Sequence, residues 1–487
     1  MKHSQPQSGL FIDGAWCPAG STFQSVAPHD QRTVADVANA TIADTQNAIA
    51  AAHRAFSTWS QTSYAERAGL LLRAADIWEA RKADYVALQH KECGSTLAKA
   101  YYEAANVSEI FRTAAAMCYA PTGHILPSKL GKHSTAVRVP IGPITVISPW
   151  NFSGILTARG FAFALAAGNT IVLKPSEETP ITGGVFFAEV MQAAGTPEGV
   201  FNLITCDRNG VAQIGDLLVN DPRIAGVSFT GSTNVGRQIA SRCGHMLKKC
   251  CLELGGKDNL IIRQDADMDR ALNAATFGAF FHQGQICMSV ERILVHVSLY
   301  QEFLAKFKER TAKITYGDPT VATNAIGPLI NAQQVRRIQA QLDDAIAKGA
   351  TLETGGTTEG NYFAPTILTG VTREMEIYGD ETFGPVVPVL KFSDDAQAVE
   401  LANDTAFGLS AGIISADEEA ALAVAAQLKT GMCHINDSSV NDEPHVPFGG
   451  SKDSGVGRHG GQWSMETFTE TRWITCERGG RQYPPGF

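Results

Sequence analysis

Between residues 144 and 245 the chain alternates short apolar, β-branched runs with longer helical stretches. Ile144–Ser148 reads as a strand, Ile155–Ala167 as a helix stopped by Gly168-Asn169, and Thr170–Leu173 as the next strand. Gly183–Ala194 reads as helical and stops at Gly195 and Pro197. Val200–Ile204 and Ala225–Phe229 read as strands, and Gly231–Gly236 opens a further helix. Strand–helix alternation of this kind predicts a doubly wound, mostly parallel sheet. A second α/β pattern starts near Asp258. Leu260–Arg263 and Ile293–Val297 read as strands, with a helical stretch Met268–Phe281 between them. Leu299–Lys313 and Gln333–Lys348 read as helices. The first 50 or so residues and Thr122–Val139 look extended. The tail from Phe468 alternates like a strand that pairs elsewhere. No repeat, low-complexity tract or long linker interrupts the pattern, so closely packed domains are expected.

Length and composition narrow the class. A chain of 487 residues exceeds the ~250–300 that one hydrophobic core serves, so two or more domains are expected. Hydrophobic residues at 44% and charged residues at 18% are those of a soluble globular protein. The net charge is -9 and no basic stripe appears, which argues against a nucleic-acid partner. The ten cysteines include no C-x-x-C pair, and Met1–Gly20 is polar without an apolar leader core. Free thiols in a reducing cytoplasm are therefore expected, with no metal site. No apolar run reaches the ~18–20 residues of a membrane span. Phe161–Ala167 comes nearest, and it is short enough for a core helix.

Four segments carry candidate chemistry. In Phe281-His282-Gln283-Gly284-Gln285-Ile286-Cys287 a helical run passes through a glycine to a cysteine before a strand. A lone cysteine is ordinarily a small buried hydrophobe, and as a nucleophile it needs activation. In Leu252-Glu253-Leu254-Gly255-Gly256-Lys257 a carboxylate stands between two leucines, near a strand end, where it can serve as a general base. Pro149-Trp150-Asn151-Phe152 follows a strand. Asn151 suits either a helix cap or an amide donor aimed at an oxyanion. Phe229-Thr230-Gly231-Ser232-Thr233-Asn234-Val235-Gly236 is a strand, a turn and a helix start, which suits a phosphate. A literal G-x-G-x-x-G occurs at Gly455, Gly457 and Gly460. It follows Lys452-Asp453-Ser454 rather than a strand, so its context fails.

Taken in order, these segments join Lys174-Pro175-Ser176-Glu177, Glu381-Thr382-Phe383-Gly384-Pro385 and Pro447-Phe448-Gly449-Gly450-Ser451-Lys452. The ordered series resembles the aldehyde dehydrogenase superfamily across essentially the whole chain. The resemblance implies an α/β fold of three parts. These are a Rossmann-like NAD-binding domain (1–121 and 141–255), an α/β catalytic domain (256–453) and a small β oligomerisation arm (122–140 and 468–487). It implies Cys287 as nucleophile, Asn151 with the Cys287 backbone N–H as oxyanion hole, and Glu253 as base. Lys174 and Glu177 match the positions at the adenine ribose, Gly231 and Ser232 the pyrophosphate turn with Trp150 nearby, and Glu381 and Phe383 the nicotinamide end. Glu177 would repel a 2′-phosphate, so NAD is expected, with NADP as the alternative.

Within the superfamily, Gly284–Ser289, His434-Ile435-Asn436, Asn441-Asp442-Glu443 and Arg159 look most like the subgroup acting on benzaldehyde, vanillin or salicylaldehyde. Ser153 replaces a frequent proline, and Arg159-Gly160 a frequent Trp-Lys pair. The expected substrate pocket comprises Phe152, Ile155, Leu156, Arg159, Ile286, Met288, Val440 and Phe448. An aliphatic or semialdehyde substrate, a CoA-acylating relative and a non-catalytic protein on the same fold are the alternatives. A homodimer or homotetramer is expected.

Overall fold

The computed structural model describes residues 8–486. The outermost parts of the expected first domain and arm, residues 1–7 and Phe487, lie outside the described residues. The alternating segment builds an eight-stranded sheet. Its order is Ala15–Cys17, Leu10–Ile12, Phe201–Leu203, Ile171–Lys174, Ile144–Ile147, Gly226–Thr230, Lys249–Glu253 and Gly455–Val456. The strands from Phe201–Leu203 across to Lys249–Glu253 are mutually parallel. Chain order reverses between Ile144–Ile147 and Gly226–Thr230. Open α/β sheets bind ligands beyond the strand C-termini at such a reversal. The loops that leave the sheet there carry Trp150-Asn151 and Gly231-Ser232.

The second pattern forms a seven-stranded sheet in the order Thr351–Thr354, Thr366–Thr369, Val386–Phe392, Val290–His296, Asp258–Ile262, Ala411–Ile414 and His434–Ile435. Gly455 and Gly457, two of the G-x-G-x-x-G glycines, serve packing instead of phosphate. A Cβ at Gly455 would lie 2.1 Å from the Leu252 carbonyl oxygen, and one at Gly457 3.0 Å from the Cys251 sulfur.

The expectation of an extended N-terminal stretch holds only as far as Ala38. Ile42–Trp59 is a helix. Thr41 and Asp44 form its capping box, with Asp44 N–H donating to the Thr41 hydroxyl and Thr41 N–H to the Asp44 carboxylate. That box, followed by an alanine-rich run, is the local signal that outweighs the β-branched residues before it. Helices Tyr64–Ala80, Lys82–Cys93 and Leu97–Met117 follow.

These helices close over the fully buried helix Ser153–Ala166. Trp78 stacks on Phe187 at 5.0 Å, and Phe161 meets Phe111, Phe187 and Phe201 at 5.8, 5.5 and 5.1 Å. Aromatic pairs add about 0.5–1.5 kcal/mol each beyond their area burial. The helix that leads out of the Asn151 loop is thus held on every side.

The tail strand Thr469–Cys476 pairs within its own chain, antiparallel to His133–Pro140, with Gly123–Ile125 on the far side. This small sheet is open to solvent: Trp473 is 71% and Ile125 79% exposed. Among the described residues no helix is long and apolar enough to cross a membrane, and no cluster of potential metal ligands occurs.

Candidate active site

Helix Met268–Phe280 ends in a left-handed turn, with φ of +48° at His282, +59° at Gln283 and +70° at Gly284. Non-glycine residues in this region cost about 1–3 kcal/mol each, so their surroundings must hold them. Gln283 Nε2 donates to the Pro328 carbonyl at 2.8 Å, and Ile330 N–H donates to Gln285 Oε1 at 3.0 Å. At Gly284 a Cβ would stand 2.3 Å from the Gly384 carbonyl oxygen. The turn delivers Cys287, half-buried, just before strand Val290–His296.

Asn151 reaches the same place from the other sheet. It is buried, and its Nδ2 donates to the Gln285 carbonyl at 3.0 Å. Two cavities meet here, because Cys287, Asn151 and Leu156 line both.

The first cavity, about 310 Å³, is walled by Trp150, Gly231, Ser232, Glu381 and Phe383. Ser232 caps helix Thr233–His245, whose first turn has no acidic residue, so its free N–H groups suit an anion. Trp150 meets Phe383 edge-on at 5.3 Å. Gly256 N–H donates to Glu381 Oε1 at 3.0 Å, and a Cβ at Gly255 would be 2.7 Å from that oxygen. Burial and the neighbouring Glu291 push the Glu381 carboxyl up to about 7. The loop is clamped from below, since Glu291 accepts from Thr382 N–H at 2.7 Å and Phe383 N–H at 2.8 Å. Lys257 Nζ in turn donates to Glu291 at 2.8 Å. Lys174 and Glu177 do not line this cavity. They lie at and just beyond the end of strand Ile171–Lys174, the neighbour of Ile144–Ile147, where Glu177 pairs with Arg208 at 3.4 Å.

All eight residues of the expected substrate pocket line the second cavity, about 290 Å³. Arg159 is buried, pairs with Asp442, and lies 4.4 Å from the centre of the Phe448 ring. Its Nε and Nη1 find no acceptor among the described residues. An ion pair and a cavity position therefore coexist at Arg159.

Glu253 ends strand Lys249–Glu253, buried, with neither carboxylate oxygen hydrogen-bonded among the described residues. It lines neither cavity. Gly449, at φ +152°, makes room for it; a Cβ there would lie 2.6 Å from Glu253 Oε1. Burial drives the Glu253 carboxyl well above its ordinary range. Burial likewise drives the Cys287 thiol well up, helped by the acidic Asp258, Glu253 and Glu381 and opposed by Arg159. Both shifts favour the proton-bound forms, so the thiol must lose its proton before it can attack, and Glu253 can act as a base only once ionised.

Several residues on these walls escape a reading of the sequence. Arg337 lines the first cavity and donates to the Glu381 and Thr382 carbonyls at 2.9 and 2.7 Å. Tyr102, Phe277 and Phe281 line the second, with the two phenylalanines stacked at 4.8 Å. Phe277 lies in the last turn of helix Met268–Phe280 and Phe281 just beyond it, a four-residue spacing that also describes ordinary core.

The chain is similar to known proteins over nearly its whole length. The family profile described as "Aldehyde dehydrogenase family" matches residues 16–474. The chain is 42% identical to vanillin dehydrogenase of Pseudomonas fluorescens, over 98% of this chain and 99% of that protein. The crystal structure of a salicylaldehyde dehydrogenase from Pseudomonas putida G7, complexed with salicylaldehyde, superposes with a TM-score of 0.96. It is 38% identical and covers 98% of this chain and 99% of its own. Betaine aldehyde dehydrogenase from Staphylococcus aureus, in complex with NAD+, superposes with a TM-score of 0.96 at 32% identity, covering 100% of this chain and 97% of its own.

Proposed function

Because the chain belongs to the aldehyde dehydrogenase family, and so is an enzyme that oxidises aldehydes, we propose that its substrate is an aromatic aldehyde, oxidised to the acid on Cys287 with NAD. The observation that carries this reading is the cavity at Cys287. Phe152, Ile155, Leu156 and Phe448 give it apolar walls, and Tyr102, Phe277 and Phe281 add aromatic surface. Arg159 and Asp442 are among the polar groups in its wall, with Asn151, Asp437 and Asn441. The relatives acting on vanillin and salicylaldehyde, ring aldehydes with oxygen substituents, support the same choice.

The reaction follows from these positions. The Cys287 thiol gives its proton to water at the open junction, the sulfur adds to the carbonyl carbon, and the carbonyl electron pair moves to oxygen; the proton returns to the sulfur when it later leaves. Asn151 Nδ2 and the Cys287 backbone N–H donate to that oxyanion. Bound nicotinamide supplies the hydride acceptor. A thioester on Cys287 remains. Glu253, turned from its dry seat beside Gly449 toward the junction, takes a proton from water as the water oxygen attacks, and the carbon–sulfur bond breaks. A base at 253 favours hydrolysis over transfer to CoA.

The first cavity suits the nicotinamide and pyrophosphate parts of the dinucleotide. The uncapped N–H groups after Ser232 suit the pyrophosphate, and Trp150, Phe383 and Glu381 suit the nicotinamide riboside. Lys174 and Glu177, one strand over, suit the adenine ribose, where the Glu177 charge disfavours the 2′-phosphate of NADP. In this reading 8–121 and 141–255 form the cofactor domain and 256–453 the catalytic domain. Residues 122–140 and 468–486 form an arm whose free edge strand joins a second copy in a homodimer or homotetramer. Soluble, cytoplasmic action fits this picture.

A substrate panel tests the aromatic assignment. Benzaldehyde, vanillin or salicylaldehyde should exceed acetaldehyde in kcat/KM by at least ~100-fold, since each methylene-sized apolar contact is worth ~1–3 kcal/mol. Acetaldehyde at equal or better kcat/KM removes it. Asn151→Ala should lower kcat by about 10²–10³-fold, the usual loss for one oxyanion donor, with KM nearly unchanged.

A further inference from the structure

Helix Ser153–Ala166 carries Ile155, Leu156 and Arg159 to the substrate cavity and begins two residues after Asn151. It has no local cap, because Phe152 at its N-terminus offers no side-chain hydrogen bond. The cap comes from helix Leu97–Met117. Gly154 N–H donates to Glu103 Oε1 at 2.6 Å and Ile155 N–H to the same oxygen at 3.3 Å.

The other Glu103 oxygen is held by Lys99 Nζ, and both side chains are fully buried. Lys99 Nζ also donates to Gln89 Oε1 at 2.8 Å and lies 4.6 Å from the centre of the Phe152 ring. That ring meets His282, in the left-handed turn before Cys287, edge-on at 5.4 Å. Ser153 joins the same buried network. Its hydroxyl accepts from Gln89 Nε2 at 3.0 Å and donates to Thr182 at 2.9 Å.

An asparagine or serine at the cap position would satisfy these N–H groups without burying a charge. A buried ion pair is a poor source of stability, and its attested use is to fix one geometry among several. Here the pair reaches both loops that meet at the thiol. One is touched through the Gly154 and Ile155 amides and the other through Phe152 and His282.

We infer that Glu103 is a positioning residue for the reaction: by capping Ser153–Ala166 it fixes where the Asn151 amide sits relative to Cys287. The inference rests on Asn151 being the oxyanion donor.

A double-mutant cycle separates positioning from general scaffolding. Glu103→Gln keeps an acceptor for the two amides but loses the charge. Its kcat, normalised to titrated Cys287, should fall on the order of tenfold, with KM changed less than about twofold. In an Asn151→Ala background the same substitution should change kcat by less than about twofold, because the group it positions is gone. The Lys99→Met/Glu103→Gln pair leaves no unpaired buried charge and carries the same cycle if the single variant does not fold. Equal fractional losses with and without Asn151 would overturn the inference and leave the oxyanion reading intact. A near-wild-type Asn151→Ala would instead remove that reading, and this inference with it.

Discussion

Replacement of Cys287 by alanine is expected to abolish aldehyde-dependent NADH formation, a loss of roughly 10⁴-fold or more. No other thiol stands ready to substitute. Of the ten cysteines only Cys287 lines either cavity. Cys93, Cys118, Cys206, Cys243 and Cys251 are buried elsewhere, and Cys476 lies on the exposed arm strand. The fold should survive. Cys287 is half-buried, and truncation only widens a junction that is already open, so a stability change within ~1 kcal/mol is expected. Stopped-flow absorbance at the NADH band, with circular dichroism and NAD binding as controls, checks the result. Activity near wild type in this variant removes the mechanism.

Glu253→Gln should behave differently. The first hydride transfer does not need a water-activating base, so one burst of NADH per site should persist. Steady-state turnover should then fall by about 10²–10⁴-fold, the range a general base contributes. The pH dependence of the native enzyme carries the same signature. Burial raises the Glu253 carboxyl above its ordinary range, so the base is still protonated at pH values where a free glutamate, near ~4.3, is ionised. Acid release should therefore fall as pH drops through that raised value, not at ~4.3. In Glu253→Gln this acidic limb should vanish from the steady state. A variant with normal turnover and an unchanged acidic limb would assign the base elsewhere.

What was legible in the sequence was what is local in the fold. Strand, turn and helix follow within a few residues at Ile147–Ser153 and Phe229–Gly236, so the parallel sheet could be read from spacing, whereas its strand order and reversal point are set by pairings distant in sequence. Cys287 and Glu253 are likewise marked by the glycines beside them. At Gly284 a Cβ would stand 2.3 Å from the Gly384 carbonyl oxygen, and at Gly255 2.7 Å from a Glu381 carboxylate oxygen. What escaped was set by contacts distant in sequence. Glu103 caps a helix 50 positions on, Arg337 clamps the Glu381 loop, and Gly449 shapes the space around the Glu253 carboxylate. Helix Ile42–Trp59 is a different case: its capping box of Thr41 and Asp44 is a local signal, yet the stretch reads as extended to about residue 50. The G-x-G-x-x-G at 455–460 shows the converse. Its first glycine follows the turn Lys452–Ser454 instead of a strand, and here the glycines allow close packing.

One measurement bears most directly on Cys287 as the atom shared by both cavities. Glu253→Gln is mixed with NAD and benzaldehyde, quenched in acid during the burst, digested, and mapped by mass spectrometry. One benzoyl group per chain, on the peptide bearing Cys287, is the expected result. A full NADH burst with that peptide unmodified, or with the acyl group on another residue, would contradict it.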